Sequence, residues 1–111
     1  MIFNINIIKP DAYKEYIEKV KPIGFIDLYN YSYHKAYVAI IIDIGERNNG
    51  YAYDALNVLI DYCFNSLQLS SLKCIIDKKN VASINLFNKN RFKMYYSRNK
   101  LNYYILRNNN V

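Results

Sequence analysis

The sequence predicts an α/β sandwich built on a mixed sheet, and three observations carry that prediction. Short apolar or alternating runs, bounded by Pro, Gly and polar turns, recur at 2–8, 25–29, 36–43 and 72–76, the pattern of strands. A long amphipathic helix is expected over 51–67, between the third and fourth of these runs. A final pair of apolar runs at 92–96 and 101–106 flanks Ser97-Arg98-Asn99-Lys100 and reads as a hairpin. Strands, helix, strand, short helix and hairpin in that order make a layered α/β domain.

Each element has its own local reason. Residues 2–8 alternate apolar and polar, and Pro10 stops them. The stretch 12–20 fits either a helix face, through Tyr13, Tyr16, Ile17 and Val20, or a strand over 16–20. Pro22 and Gly24 precede a strand over 25–29, and Asn30 to Lys35 reads as a turn. The run Ala36 to Asp43 is the most apolar, so it is expected to be central and covered on both faces. In the long helix, Ala52, Ala55, Leu56, Leu59, Ile60, Cys63, Phe64 and Leu67 recur every three or four residues, with Asp54, Asn57, Asp61 and Asn65 opposite. Burying the large side chains of that stripe contributes on the order of 10 kcal/mol before chain entropy is subtracted. Asn80 is a suitable N-cap for a helix over 81–90. The strand at 36–43, the helix and the strand at 72–76 form one right-handed βαβ crossover, and the Asn-rich tail from Asn108 is expected to fray.

Composition narrows the function classes. The chain has 111 residues, 52% of them apolar, which suits one domain with a real core. No apolar run approaches the ~20 residues of a membrane span, and the start lacks the features of a signal peptide. The protein is therefore read as cytoplasmic. Cys63 and Cys74 fall on predicted core faces, as buried thiols without metal or disulfide spacing. His34 is the only histidine, so a multi-histidine metal site is excluded. The net charge of +6 suits a polyanionic partner or a polyphosphorylated small molecule. Lys and Arg are dispersed rather than massed, which disfavours a nucleic-acid stripe.

The most informative stretch is Arg47-Asn48-Asn49-Gly50-Tyr51-Ala52, between the apolar strand and the long helix. The first N–H groups of a helix lack internal partners and carry partial positive charge. A Gly lets backbone approach an anion closely, and Arg47 adds a fixed cation. Such a loop, at the carboxyl end of a strand in an open α/β sheet, is suited to phosphate.

These residues resemble the GNAT superfamily of N-acetyltransferases. The family's acetyl-CoA signature, Gln/Arg-x-x-Gly-x-Gly/Ala, is met by Arg47 to Ala52, and Tyr53-Asp54-Ala55-Leu56 resembles the usual start of the following helix. A second block, Asn80-Val81-Ala82-Ser83-Ile84-Asn85-Leu86-Phe87-Asn88-Lys89-Asn90-Arg91-Phe92, follows at the family's spacing. The pattern most resembles the branch containing the ribosomal-protein N-terminal acetyltransferases, and it covers roughly residues 22–106. The resemblance implies a mixed, mostly antiparallel sheet with flanking helices, the N-terminal helices being reduced or absent. It implies acetyl-CoA as cosubstrate, with no metal. The backbone from Arg47 through Asn48, Asn49, Gly50, Tyr51 and Ala52 to Tyr53 would hold the pyrophosphate. Ile42, Asp43 and Ile44 would pair with the pantetheine arm, with a splay beside them that exposes an oxyanion donor. Asn80 would bind the pantetheine, and Ser83 would lie near the sulfur as proton donor. Glu46 or Asp43 would serve as base, and an amine would attack the thioester directly.

Three features depart from the family pattern. Phe87 stands where many members carry an acid Tyr. Arg91-Phe92 replaces Gly-Phe, with Asn90 available to absorb a left-handed turn. Only about 20 residues precede the matched region, so the acceptor side would be open, completed by a second subunit as in a homodimer, or degenerate. His34 reads as an exposed turn residue. Of the tyrosines at 95, 96, 103 and 104, alternating faces in the last hairpin, one could line the acceptor cleft. The leading function is acetyl transfer to a primary amine of a protein N-terminus, a small metabolite or an amino sugar. The alternatives are a reduced member that binds CoA or a partner without turnover, and a basic nucleic-acid-binding module.

Overall fold

The computed structural model describes residues 3–8, 22–42, 47–48 and 50–109. Its strands are β1 (Phe3–Ile8), β2 (Pro22–Ser32), β3 (Lys35–Ile42), β4 (Ser71–Asp77), β5 (Lys93–Arg98) and β6 (Leu101–Arg107), with helices α1 (Tyr51–Asp61) and α2 (Val81–Lys89). The described strands make one sheet in the order β1-β2-β3-β4-β6-β5. Every neighbouring pair is antiparallel except β3 and β4, which run parallel through the α1 crossover. The ambiguous stretch 12–20 and the question of helices before β2 lie outside the described residues.

The helix stripe read from the sequence packs as expected. Leu56, Leu59 and Cys63 are buried with Ile26, Leu28, Val38, Leu72, Cys74 and Ile76 from the strands, and Phe87 and Phe92 complete the cluster. The 51–67 helix is not uniform, however. It is α-helical to Asp61 and then widens into a π-turn over Tyr62–Ser66, closed by the Leu67 N–H donating to the Tyr62 carbonyl at 3.0 Å.

Other expectations are corrected. The strand at 36–43 is central but not covered on both faces: Ala36 and Val38 are buried, whereas Lys35, Ala39 and Ile41 are exposed. Side chains alternate across a strand, and the described helices contribute to one core on one side. The turn is tighter than Asn30 to Lys35, because β2 runs to Ser32 and only Tyr33 and His34 turn, both with positive φ. The chain does not fray at Asn108. Its side-chain amide donates to the carbonyls of Phe64 and Leu69, and its backbone N–H donates to Ser70. Tyr104 is buried, whereas a bulge between Met94 and Tyr96 leaves both Tyr95 and Tyr96 exposed, so the tyrosines do not simply alternate. Among the described residues no helix is long and apolar enough to cross a membrane.

Candidate functional site

The carboxyl end of β3, the amino end of α1 and one face of α2 enclose a cavity of about 570 Å3. Its position follows from the sheet. β3 and β4 pair only at Lys35–Ser71, Ala36–Leu72 and Tyr37–Lys73. Among the described residues the two strands do not pair beyond that point, while Ile40, Ile41 and Ile42 continue along the cavity wall. The described pairing thus ends on the side where the resemblance implies a splay.

Gly50 sets the entrance of α1. It is the N-cap residue at φ 78 and ψ 2, a left-handed backbone that glycine adopts without a Cβ penalty, and it has no side chain to cap the helix. The first internal bond is Asp54 N–H to Gly50 carbonyl at 3.1 Å. The N–H groups of Tyr51, Ala52 and Tyr53 therefore have no acceptor among the described residues. The start of α2 is arranged differently. Asn80 Oδ1 accepts from the Ser83 N–H at 3.1 Å, so that end is capped by its own chain. Among the described residues, the α1 start presents a crown of free donors and the α2 start does not.

Ile42, Arg47, Asn48, Gly50, Tyr51, Ala52, Tyr53, Asn80 and Ser83 all line this one cavity. Asp43, Ile44, Glu46 and Asn49 lie outside the described residues. Arg47 does more than place a charge: its Nε donates to the Ile42 carbonyl at 3.0 Å, tying the loop to the end of β3. Ser83 is half-buried on the wall, its amide held by Asn80. Among the described lining residues there is no Asp, Glu or His.

Phe87 does not reach the cavity. It is buried and meets Phe92 edge-on, with centroids 4.9 Å apart and planes at 90°. Arg91, not Asn90, takes the left-handed turn: Arg91 has φ 70, whereas Asn90 has φ −90 and uses its side-chain amide to bond the Leu86 carbonyl. The thiols take no part in this site. Cys63 and Cys74 are free and buried, and burial pushes Cys63 up to about 11 and Cys74 further. Among the described residues no group of three or more His, Cys, Asp or Glu could hold a metal ion.

Sequence reasoning missed Lys89, whose ammonium lies 4.4 Å from the centroid of the Tyr53 ring, both residues lining the cavity. A signal for it existed. Ala82, Asn85, Leu86 and Lys89 are spaced to share one helical face with the cavity.

A family model described as "Acetyltransferase (GNAT) domain" matches residues 3–93. The structure is similar to the Campylobacter jejuni N-acetyltransferase PseH in complex with acetyl coenzyme A. That likeness has a TM-score of 0.71 and 25% identity, over 84% of this chain and 63% of that one. It is also similar in fold to an acetyltransferase (GNAT family) from Bacillus anthracis, at TM-score 0.74 and 17% identity, over 83% of this chain and 62% of that one. A dodecameric spermidine N-acetyltransferase from Vibrio cholerae is similar at TM-score 0.70 and 19% identity, over 79% and 58%. The chain thus spans about 60% of the length of such proteins. The comparison with curated proteins found no match.

Proposed function

Because the chain belongs to the GNAT acetyltransferase family, we propose that it is an acetyl-CoA-dependent N-acetyltransferase acting on a primary amine. The observation that carries the reading is the crown of three free N–H groups on Tyr51, Ala52 and Tyr53, opening into the same cavity as the parted end of β3. Those amides, with the helix dipole, suit a diphosphate. The opened β3 edge suits the amides of a pantetheine arm, and Ile40 to Ile42 supply its apolar wall.

In this reading the amine nitrogen attacks the thioester carbonyl carbon, and a backbone N–H of β3 stabilises the resulting oxyanion. The C–S bond then breaks. The nitrogen loses one proton and the departing thiolate gains one, so the products are an amide and a free thiol. Ser83 is assigned as donor to the thiolate, because it is the hydroxyl on α2 that lines the cavity while Phe87 is turned into the core. Glu46 is assigned as base, directly or through water. A cytoplasmic setting belongs to the same reading and is supported by two thiols that remain unpaired. A homodimer belongs to the same reading and is supported by the dodecameric state of the similar spermidine enzyme.

Phe87 favours a second reading, a domain that binds coenzyme without turnover. One experiment separates the two. Thermal stability is followed with added acetyl-CoA, and thiol release is then measured across an amine panel that includes peptide N-termini, amino sugars and polyamines. Stabilisation with release supports the transferase, and stabilisation without release on any amine supports the binding domain. No shift at millimolar acetyl-CoA refutes both.

A further inference from the structure

The side of the sheet opposite the helix-packed core carries an aromatic floor beside the gap between β3 and β4. Tyr37 and Lys73 form the last β3–β4 pair, and Ile75 follows on the same side of β4, 39% exposed at the edge of the opening. Ile75 stands opposite Tyr103 on β6, and Tyr103 opposite Tyr96 on β5. The bulge adds Tyr95, so that the rings of Tyr95 and Tyr96 lie 6.4 and 5.2 Å from that of Tyr103. Tyr95 and Tyr96 are 46% and 47% exposed. The Lys73 ammonium sits 5.3 Å from the Tyr95 centroid, and among the described residues no carboxylate pairs with it.

We propose that this floor seats the acceptor, and that the acceptor is an amino sugar bearing a phosphate. The inference rests on the acetyltransferase reading above. The rings of Tyr95 and Tyr96 stand at 65° and 58° to that of Tyr103, so the cluster presents tilted apolar faces with hydroxyl rims rather than one plane, a surface suited to the C–H bonds and hydroxyls of a sugar ring. Charge selects the rest of the ligand. Register puts Lys73, Lys93, Arg98 and Arg107 on this side of β4, β5 and β6, against Asp77, whose Oδ1 already accepts the Lys79 N–H, and against Asp27, which lies on the far side of the gap on β2. A polycationic acceptor would meet repulsion there, whereas a phosphate would gain a charge-assisted bond to Lys73. The floor begins one strand from the gap, about 5 Å, so a ring lying on it can direct its amine toward the opened end of β3.

The test uses the full chain saturated with CoA and measures affinity for glucosamine 6-phosphate, glucosamine and spermidine by calorimetry. Glucosamine 6-phosphate is expected to bind about tenfold more tightly than glucosamine. Lys73→Gln should erase that difference, Lys73→Arg should keep most of it, and Tyr96→Leu should weaken both sugars, with CoA affinity unchanged throughout. Equal affinity for the two sugars, tighter binding of spermidine, or a phosphate preference that survives in Lys73→Gln would overturn the assignment. Failure of CoA itself to bind would instead overturn the reading of the cavity on which the assignment rests.

Discussion

The Lys89 ammonium and the Tyr53 ring face each other at 4.4 Å, joining the last turn of α2 to the first turn of α1 across the cavity. Among the described residues no carboxylate neutralises Lys89. Its charge is therefore available to an anion bound at the amino end of α1. Lys89→Gln is expected to weaken CoA binding about three- to tenfold and to flatten its salt dependence, without lowering thermal stability appreciably. Titrations at two ionic strengths check this.

Gly50 separates backbone demand from ligand demand. A Cβ placed there meets nothing within 4 Å, but φ is +78. Gly50→Ala should cost about 1 kcal/mol of stability through the backbone alone, with modest loss of CoA affinity. Gly50→Glu adds a negative charge at the proposed diphosphate site and should abolish binding. Denaturant melts and calorimetry on both variants make the comparison, and retained affinity in Gly50→Glu refutes the phosphate site.

Gly24 answers to packing instead. It pairs with Ile42, and a Cβ there would overlap the Ile41 carbonyl oxygen and lie 2.9 Å from the Ile42 Cα. Gly24→Ala should destabilise by about 1–3 kcal/mol. It should also weaken CoA binding, because the strand it displaces is the cavity wall. A Gly24→Ala protein with unchanged urea midpoint would contradict this.

Arg91 carries the left-handed turn that ends α2, at φ 70. Arg91→Gly should relieve that strain and stabilise by about 1 kcal/mol, raising Tm by roughly 4 °C. The gain should appear without any change in CoA affinity, since Arg91 does not line the cavity.

The buried thiols set an alkaline limit. Burial raises the Cys63 thiol from its ordinary 9.0 to about 11. Below pH 9 folded and unfolded chains both hold the proton, and the thiol contributes its full share of stability. Between pH 9 and about 11 the unfolded chain releases a proton that the folded chain retains, so stability falls as pH rises. Cys74 shifts in the same direction and extends the loss upward. Urea midpoints from pH 8 to 11 should decline more steeply for the native protein than for Cys63→Ala, and parallel slopes would count against the burial effect.

Local chemistry made much of the architecture legible. The three-four stripe of α1, the N-capping Asn80 and the alternation of the strands all report on near neighbours, and they needed no partner to be read. The Arg47-to-Ala52 loop was legible for the same reason, since Gly50 and a helix start are local features. Tertiary structure decided what depends on distant partners. Asn108 is ordered because Phe64 and Leu69 offer carbonyls across the fold. Phe87 is a core residue because Phe92 meets it edge-on. Lys89 joins the cavity because Tyr53 comes from another helix, and the gap beside β3 exists because its pairing with β4 stops at Tyr37. Backbone preference and hydrophobic period act over a few residues, whereas packing and pairing are settled only when segments far apart in the chain meet.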